Sequence, residues 1–497
     1  MTVTFWLPVA ILLSSFVPGV VIFLLPEEQS GARTALNLIG AVIKVVLVIG
    51  MIWGITEGRI YEARIPLLPD IDLVLHASRL PVLFISLSAV LWLLTTIYAV
   101  GYLEGSPHRS RFFGFFSLCV SATTGVAMAG NLLSFLVFYE ILTLVTWPLV
   151  IHRGTEEAHQ AGRVYLAYTL TGGALLMVGI TWLHALVGPV DFVERGALAG
   201  IGPDYHGQLK VIFALLIAGL GVKAALVPLH GWLPHAMVAP APVSALLHAV
   251  AVVKAGAFGI VRVMYDVFGI EFATTLGVHR PLALVASITI IYGSIQALAQ
   301  DDLKRRLAFS TVSQISYIIL GVATLGRLAT IGGVVHLVHQ ALMKITLFFC
   351  AGILLETLGI HRVSEMNGVG RRMPLTMIAF SLAALGMIGL PPMAGFISKW
   401  YLGLGGLDAG DPWVLAVLLV STILNAAYFL PILHAAWFRP ANSPWPEARR
   451  GEFETRLYLL LPPLITALLF ILAGLFAAAP VSPTAWCHVI ADAEYGQ

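Results

Sequence analysis

Long apolar runs recur along the whole chain and constrain its fold more than any other feature. A helix rises 1.5 Å per residue, so about 20 mostly apolar residues cross the roughly 30 Å hydrocarbon core of a bilayer. We count fourteen runs of about this length. They cover residues 4–25, 35–55, 81–102, 113–130, 131–150, 163–187, 209–228, 243–262, 281–299, 308–324, 327–356, 374–403, 413–437 and 456–480. None shows the two-residue alternation of β-barrel strands.

Composition supports the same class of protein. Of the 497 residues, 59% are hydrophobic and 11% are charged, whereas ordinary soluble domains are about 25% charged. The net charge of +2 gives no basic surface for nucleic acid. The first run has no basic segment before it and no cleavage site after it, which indicates a retained span. We therefore expect an all-α polytopic membrane protein with about fourteen transmembrane helices.

Loop charge predicts the orientation, because Lys and Arg are retained on the cytoplasmic side. The loops after odd-numbered spans hold about fifteen of these residues, and the opposite loops hold about eight. The richer set includes Arg109, Arg111, Lys304, Arg305, Arg306, Arg371, Arg372, Arg449 and Arg450. Both termini are therefore expected outside the cytoplasm.

Motifs for a metal, a cofactor or a nucleophile are not found in the sequence. Cys119, Cys350 and Cys487 are scattered with no CxxC spacing, which favours buried thiols over a disulfide framework or a metal cluster. No dinucleotide fingerprint, P-loop or nucleophile elbow occurs. The chain is expected to hold no cofactor and no redox centre of its own.

Lysine is distributed differently from arginine. Five of the seven lysines lie within apolar runs, whereas none of the 21 arginines lies in the middle of one. A buried ammonium can give up its proton, but a guanidinium stays charged. Lysine in a span is therefore a candidate for reversible proton binding. The five are Lys44, Lys223, Lys254, Lys344 and Lys399.

Glu140 is the one acidic residue in the middle of a run. A carboxylate there stays charged only beside a cation, and a lysine from a neighbouring span would supply it. At 4 Å such a pair interacts by about 4 kcal/mol at an effective dielectric of 20. A static ion pair is the alternative to a functional one.

Histidines extend this set of titratable residues. His248 shares the eighth run with Lys254, and His336 and His339 share the eleventh with Lys344. His336 and His339, three residues apart, lie on one helical face, and Lys344 lies about 80° round the helix from His336. Together they favour a proton relay. The alternative is that each histidine bonds a nearby hydroxyl or carbonyl; a metal site is disfavoured because no carboxylate or cysteine joins them.

Prolines interrupt the seventh and twelfth runs. Each removes a backbone donor and disfavours helix, and interrupted helices mark the ion pathway in transporters. The prolines are Pro228, Pro234, Pro240 and Pro242 in the first break, and Pro391 and Pro392 in the second.

The two breaks indicate an internal repeat. They lie about 160 residues apart, close to the offset between five-span blocks at about 113–262 and 281–437. Five is an odd number, so the second block would be inverted relative to the first. We expect an N-terminal three-helix segment in residues 1–110, repeats in 111–265 and 266–440, and a C-terminal helix and tail in 441–497.

Four motifs carry a family resemblance, in the family's order: KAALVPLHGWLPHAMVAPAPVSALLHAVAVVKAGAFGIVR, DDLKRRLAFSTVSQISYIILG, HLVHQALMKITLFFCAG and GLPPMAGFISKWYLG. The chain resembles, over about residues 110–440, the antiporter-like membrane subunits of respiratory complex I, Mrp-type cation/proton antiporters and membrane-bound hydrogenases. The resemblance implies fourteen helices, two inverted five-helix repeats and broken helices 7 and 12. Within the family it is most similar to the D-type subunit of Mrp antiporters.

The resemblance also implies roles for the titratable residues. Glu140 would be the fifth-helix glutamate, Lys223 its seventh-helix partner, Lys254 the eighth-helix lysine and Lys399 the terminal residue. His248, His339 and Lys344 would lie on the central polar axis, and His336 is included from its position in the run. Two departures are Gln340, where relatives often carry His or Asn, and the lack of a lateral C-terminal helix, which disfavours the distal complex I subunit. Lys44 receives no role, since a second-span lysine could snorkel or contact a partner.

Three functions remain open. The first is a proton-conducting subunit of an Mrp-type monovalent cation/proton antiporter, with other membrane subunits as partners and protons, and sodium or potassium, as transported ions. The second is a proton-pumping subunit of a complex I-like NADH-quinone oxidoreductase or a membrane-bound hydrogenase, joined to their redox modules. The third is a subunit of an inorganic-carbon uptake complex. Each implies a multi-pass protein of a bacterial-type inner membrane.

Overall fold

The computed structural model describes residues 3–68, 71–441 and 454–496, and most of them are helical. Arg449 and Arg450 lie outside these ranges. The α-helices, numbered α1 to α20 in chain order, are Val3–Phe23, Ser30–Thr56, Arg79–Tyr102, Arg109–Met128, Leu132–Val150, Glu156–Val187, His206–Lys223, Trp232–His235, Ala241–Ala249, Val252–Arg262, Ile270–Leu276, His279–Ala299, Leu303–Ala323, Arg327–Leu358, Val369–Arg372, Pro374–Ile388, Ala394–Asp408, Trp413–Phe438, Leu457–Leu475 and Pro483–Tyr495.

Thirteen helical segments in the described residues are long and apolar enough to cross a membrane. One of them, Ala241–Phe268, joins α9, α10 and a π-helical turn at Val263–Phe268. The predicted twelfth span corresponds to two shorter helices in succession, α16 and α17, with a break at residues 389–393. This agrees with the fourteen predicted spans. The inverted relationship between the two five-span blocks stays a prediction.

A β-hairpin departs from the all-α expectation. Strands β1 (Tyr61–Leu68) and β2 (Ile71–Ala77) pair antiparallel between α2 and α3, with Tyr61 opposite Ala77. The sequence of β2, IDLVLHA, places apolar residues at every second position, which is the period of a half-buried strand. The segment is too short to cross a bilayer as a helix, so the count of apolar runs did not include it.

The bundle has two ends, which interactions between loops define. At the hairpin end, Arg64 of β1 pairs with Asp191 of the loop after α6, and Arg327 at the start of α14 pairs with Asp492 of α20. At the other end, called here the Glu27 end, the backbone N–H groups of Arg109 and Ser110 bond the Glu27 carboxylate. Arg456 pairs with Glu104, Arg305 lies 4.0 Å from Glu157, and the Ser364 N–H bonds the Asp301 carboxylate. These contacts gather the loops after odd-numbered spans at the Glu27 end.

The centre of the bundle is formed by α9, α10, α13 and α14, which are buried along nearly their whole length. By contrast, α2 and α18 lie at the periphery, and each exposes an apolar face such as Ile39, Val42 and Val46 of α2. Small residues allow close approach in the centre. A Cβ at Gly256 of α10 would lie 2.7 Å from the carbonyl oxygen of Leu220, so α10 and the end of α7 are in backbone contact.

Candidate functional site

The break in the seventh span begins directly after Lys223, the last residue of α7. The chain then passes Pro228, which follows a cis peptide bond, before α8 begins at Trp232. A helix end leaves backbone groups unpaired. The Trp232 indole N–H bonds the Val222 carbonyl oxygen at 2.6 Å, and the Thr289 hydroxyl accepts from the N–H of Val227 at 3.1 Å. Pro234 lies in α8, a single four-residue turn inside the interrupted segment between α7 and α9. Its role as a helix break stays a prediction.

Lys223 is fully buried and faces α5. Its ammonium donates to the carbonyl oxygen of Tyr139 and lies 3.4 Å from the centroid of the Tyr139 ring. The next residue, Glu140, is half-buried, and its Oε1 is buried without a hydrogen-bond partner. The carboxylate lies against Gly173 of α6 and leaves no space for a side chain there. Among the described residues, Glu140 and Lys223 form no ion pair within 4.0 Å, so their direct pairing stays a proposal.

The eighth span has an interruption that the sequence did not indicate. Helix α9 ends at Ala249 and α10 begins at Val252, two residues before Lys254. Lys254 is fully buried and donates to the Leu337 carbonyl oxygen at 2.9 Å and to Oε1 of Gln340, both on α14. Gln340, noted in the sequence as a departure from the family, therefore holds the Lys254 amine.

His336 connects α14 to its neighbours on two sides. Its Nδ1 lies 2.8 Å from the Ser398 hydroxyl of α17, and its Nε2 lies 3.1 Å from Oε1 of Gln314 on α13. His336 is one helical turn from Gln340, and Ser398 precedes Lys399. Polar side chains therefore lead from Lys254 through α14 to α17.

Lys399 spans the break in the twelfth crossing. The unwound segment contains Pro391 and Pro392. From α17 the Lys399 amine reaches back and donates to the carbonyl oxygen of Ile388, the last residue of α16, at 2.7 Å. The C-terminus of a helix carries partial negative charge, which favours a cation there. The amine also donates to the Thr422 hydroxyl at 3.1 Å and lies 5.5 Å from the Tyr317 ring centroid.

Lys344 begins a second branch. It is fully buried and donates to the Ser310 hydroxyl at 2.7 Å and to the Leu307 carbonyl oxygen at 3.1 Å, both on α13. The Ser310 and Tyr428 hydroxyls are 2.8 Å apart, and Tyr428 donates to Oδ1 of Asn425 at 2.6 Å. The Asn425 amide donates to the Met387 carbonyl oxygen at 3.3 Å. This branch therefore also ends at the second break.

His248 and His339 are fully buried, and no side-chain hydrogen bond joins either of them to a lysine or to His336 in the described residues. The His248 ring stacks on Phe348 of α14 with centroids 4.5 Å apart. No direct contact with the other relay residues therefore supports the prediction that these two histidines belong to the relay.

Lys44 does not snorkel and does not lie on an outer surface, so both interpretations of it from the sequence are wrong. It is fully buried and bonds hydroxyls of α1 and α4.

A second buried carboxylate escaped the sequence analysis because the eighth span extends to Phe268. Arg262 and Asp266, one turn apart at the hairpin end, form an ion pair of 2.7 Å with side chains about 3% and 4% exposed. Glu494 of α20 lies beside them and accepts from the Arg195 N–H at 3.0 Å. Burial, together with the charge of Asp266, raises the pKa of Glu494 to about 8.

The sequence did not indicate which groups bond the lysines and His336, and it marked Gln340 only as a departure from the family. The lysines are bonded by Tyr139, Ser310, Gln340 and Thr422. His336 is bonded by Gln314 and Ser398, and Tyr428 and Asn425 continue from Ser310. Gln314 and Gln340 carried a usable signal, since an amide inside an apolar span needs a partner. The hydroxyl residues gave no such signal in the sequence, because Ser and Thr side chains also bond the backbone of their own helix.

Comparisons with known proteins place this geometry in a family. Residues 129–425 match the family described as NADH:quinone oxidoreductase/Mrp antiporter, TM. The chain is 38% identical over 406 residues to NADH-quinone oxidoreductase subunit N of Desulforudis audaxviator, covering 79% of this chain and 80% of that one. It is 28% identical to the D-type Na(+)/H(+) antiporter subunit of Bacillus subtilis, covering 81% and 80%.

A solved structure shares the fold over the whole chain. A chain of the Mrp complex from Dietzia superposes with a TM-score of 0.87 at 22% identity, covering 100% of this chain and 98% of that one. With the family match and the 38% identical relative, this chain belongs to the transmembrane family of NADH:quinone oxidoreductase and Mrp antiporter subunits.

Proposed function

We propose that the chain is the proton-conducting subunit of a multisubunit Mrp-type monovalent cation/proton antiporter. The observation that carries this proposal is how the buried lysines are held. Lys254, Lys344 and Lys399 donate only to carbonyl, amide or hydroxyl oxygens among the described residues. A lysine held by neutral acceptors keeps its hydrogen bonds whether it is an amine or an ammonium, so each site can exchange a proton.

The pathway we propose starts at Glu140 and Lys223. A proton or cation that reaches Glu140 changes the charge of the Glu140 site. Lys223 bonds Tyr139, the residue next to Glu140, and responds by binding or releasing a proton. The proton then passes to Lys254 and the α14 residues, and Lys399 releases it on the other side. Two contacts one helical turn apart on α14 support the second half of this path: Lys254 with Gln340, and His336 with Ser398.

Both ends of the pathway lie at the edge of the chain. Glu140 and Lys399 are half-buried, unlike the fully buried lysines between them. Charged groups in a span do not face lipid, and they pair with protein or line a polar cavity. These two edges are therefore the faces where neighbouring membrane subunits would pack, consistent with a hetero-oligomeric assembly.

For topology, we propose a bacterial-type inner membrane with the Glu27 end in the cytoplasm. The described part of this end carries Arg109, Arg111, Arg305 and Arg362, as the positive-inside rule requires. Both termini would then be non-cytoplasmic. The domain division proposed is residues 1–110, 111–265, 266–440 and 441–497, with the two middle segments as inverted repeats.

Proton flux in vesicles that contain the assembled complex tests this function. Glu140→Ala and Lys223→Ala should each abolish ion-coupled transport while the protein remains inserted and assembled. Lys223→Arg should also abolish it, because a guanidinium keeps its charge but cannot release a proton. Full transport in any of these variants would refute the scheme.

A second candidate is a proton-pumping subunit of a redox complex, and the 38% identity to a NADH-quinone oxidoreductase subunit favours it. The proteins that copurify with the chain distinguish the two. Small membrane subunits without chromophores would support the antiporter, whereas iron–sulfur or flavin absorbance would support the redox complex. A soluble carbonic-anhydrase-like partner would instead indicate inorganic-carbon uptake.

A further inference from the structure

Lys44 forms a polar site of its own, separate from the pathway described above. It lies near the middle of α2, about 21 Å along the helix from Ser30. Its side chain is fully buried and points between α1, α3 and α4. The ammonium donates to the Ser15 hydroxyl at 2.8 Å and to the Thr124 hydroxyl at 2.7 Å, and lies 5.2 Å from the Trp92 ring centroid.

The hydrogen bonds around Lys44 fit both of its protonation states. The Ser15 hydroxyl donates to the Leu12 carbonyl oxygen at 3.3 Å, and the Thr124 hydroxyl donates to that of Val120 at 2.8 Å. Each hydroxyl therefore offers a lone pair to Lys44. A neutral amine has two N–H groups for these two acceptors, and an ammonium has a third that can face the indole ring.

In the described part of the chain, no opposite charge fixes Lys44 in its protonated state. The elements packed against it present Ser15 from α1, Trp92 from α3 and Thr124 from α4, and none of these side chains is titratable in the physiological range. Along the same helices, the nearest ionisable side chains are Arg33, eleven residues back on α2, and Tyr98, six residues after Trp92 on α3. On α4 the nearest is Cys119, which faces Thr146 of α5.

A line of polar side chains connects Lys44 with the Glu27 end. On α2 it contains Arg33 and Asn37, which share the face of Lys44 by helical periodicity. The facing side of α4 carries four hydroxyls at the same periodicity, Ser110, Ser117, Ser121 and Thr124. We call this set, with Ser15 and Lys44, the α2–α4 seam.

In the part of the seam nearest the Glu27 end, the polar side chains contact each other directly. Glu27, 42% exposed, lies 3.8 Å from Arg33, which donates to the Ser110 hydroxyl at 2.8 Å. One turn deeper, the Ser117 hydroxyl donates to Oδ1 of Asn37 at 2.8 Å. From Ser117 the next hydroxyls on α4 follow at intervals of about one helical turn, roughly 4.5 to 6 Å, a separation that one hydrogen-bonded water spans.

The seam is closed beyond Lys44. Toward the hairpin end, the same face of α2 continues with Val48 and Met51, both buried, and α1 contributes Ile11. At Gly54 the Tyr61 side chain packs directly on the helix backbone. These residues of α1 and α2 have no groups that could pass a proton on. On α3 the buried Ser88 hydroxyl, one turn from Trp92 toward the hairpin end, has no hydrogen-bond partner among the described residues. No hydrogen-bonded line therefore continues beyond Lys44, and the seam opens to one side only.

We propose that the α2–α4 seam is a blind proton well in which Lys44 binds and releases protons in equilibrium with the solution at the Glu27 end. On binding, a hydronium ion at that end gives up one proton, which forms the third N–H bond of Lys44, and becomes water. On release the same bond breaks and a water accepts the proton. Lys44 thus reports the proton concentration of one side of the membrane without conducting protons across it.

The protonation state of Lys44 can be measured directly. The ¹⁵N chemical shift of a lysine side chain separates amine from ammonium, and the chain has seven lysines. The assembled complex, labelled with ¹⁵N-lysine, is placed in vesicles of uniform orientation with separately buffered compartments. The Lys44 resonance is the one that disappears in Lys44→Arg and, independently, in Lys44→Gln. Either variant alone suffices for the assignment, so one that folds poorly does not prevent it.

We expect this resonance to move between its amine and ammonium positions when the pH changes at the Glu27 end. It should not move when the pH changes at the hairpin end. A resonance that stays fixed over the accessible range, or that follows the hairpin-end pH, would overturn the proposal. Because the readout is protonation and not transport, the result is independent of the function proposed for Lys223, and it should persist in Lys223→Ala.

The route through the seam needs a matched test. Asn37→Leu and Ser117→Ala remove the polar step between Arg33 and the deeper hydroxyls. They should slow proton exchange at Lys44 at least tenfold. Ser287→Ala, a buried serine of α12 whose hydroxyl bonds the Ala283 carbonyl oxygen of its own helix, should leave the exchange rate unchanged. Equal rates in all three variants would show that protons do not reach Lys44 through the seam.

Discussion

The Lys223 ammonium lies 3.4 Å from the centroid of the Tyr139 ring and bonds the carbonyl oxygen of the same residue. Lys223 is thus held by the residue beside Glu140 and not by Glu140 itself. A buried cation over an aromatic face gains about 2 kcal/mol or more when it is desolvated. Tyr139 is therefore a positioning residue for Lys223, a role that the sequence did not indicate.

Replacing the Tyr139 ring tests this role. Tyr139→Leu removes the aromatic face, and with about 2 kcal/mol lost we expect proton flux to fall more than tenfold. Tyr139→Phe keeps the face and loses only the hydroxyl contact to the Gly219 carbonyl oxygen, 3.1 Å away, so its flux should stay within about threefold of wild type. Flux in reconstituted vesicles is the measurement, and equal flux in the two variants would exclude the ring from the mechanism.

Gly173 offers a test of the Glu140 position from the other side. A methyl group at Gly173 would overlap the Glu140 carboxylate, so Gly173→Ala should displace it and reduce proton flux severalfold or more. Gly50→Ala is the matched control, because a Cβ there meets nothing within 4 Å and the intrinsic gain in helix propensity of up to about 1 kcal/mol is the same. If both variants transport normally, the Glu140 site tolerates displacement and its geometry is not critical.

The membrane-spanning architecture was predictable because an apolar run of about 20 residues leaves few alternatives. The buried lysines and Glu140 could also be identified in the sequence, because a charged residue within such an apolar run is rare. The interruption at Val250 and Ala251 was not visible, because neither residue disfavours helix strongly. Contacts such as Lys344 with Ser310 depend on which helices pack together, which periodicity alone does not determine.

The Ser398 hydroxyl links His336 on α14 with the helix that carries Lys399. Ser398→Ala breaks this link without changing either titratable residue, so we expect a severalfold to tenfold loss of proton flux with normal insertion. Ser287→Ala is a suitable control, because this buried hydroxyl of α12 bonds only its own helix, at the Ala283 carbonyl oxygen. The link is unnecessary if Ser398→Ala and Ser287→Ala have the same flux.

Docking of α20 should depend on pH through Glu494. Its pKa is raised from about 4.5 to about 8 by burial and by Asp266, with Glu194 adding to the effect and Arg262 opposing it. The Glu494 carboxyl holds its proton up to a higher pH when α20 is docked than when α20 is released. The free energy of docking therefore weakens as the pH rises from about 4.5, and docking is weakest above about pH 8. Hydrogen exchange of the α20 backbone at pH 6 and 9, corrected for intrinsic rates, should show faster opening at pH 9. Glu494→Gln should remove this difference, and an unchanged difference would assign it to another group.

Removing one member of the buried Arg262–Asp266 ion pair should destabilise the protein strongly, whereas replacing both members by apolar residues should cost little stability. Arg262 also donates to the Ala129 carbonyl oxygen at 3.1 Å and lies 4.2 Å from the Phe192 ring centroid, so it is fixed in place when its partner is removed. Asp266→Asn leaves a buried cation without its counter-charge, which should destabilise the protein by about 3–5 kcal/mol.

The double replacement Arg262→Leu with Asp266→Leu should recover most of this loss, because apolar residues of similar volume avoid the desolvation of both charges. Arg59→Leu, which breaks an exposed ion pair with Glu57, is the control and should change stability by about 1 kcal/mol or less. Thermal unfolding of the detergent-solubilised protein ranks the four forms. A double variant as unstable as Asp266→Asn would mean that the pair is required for the structure of the π-helical turn, beyond its effect on charge.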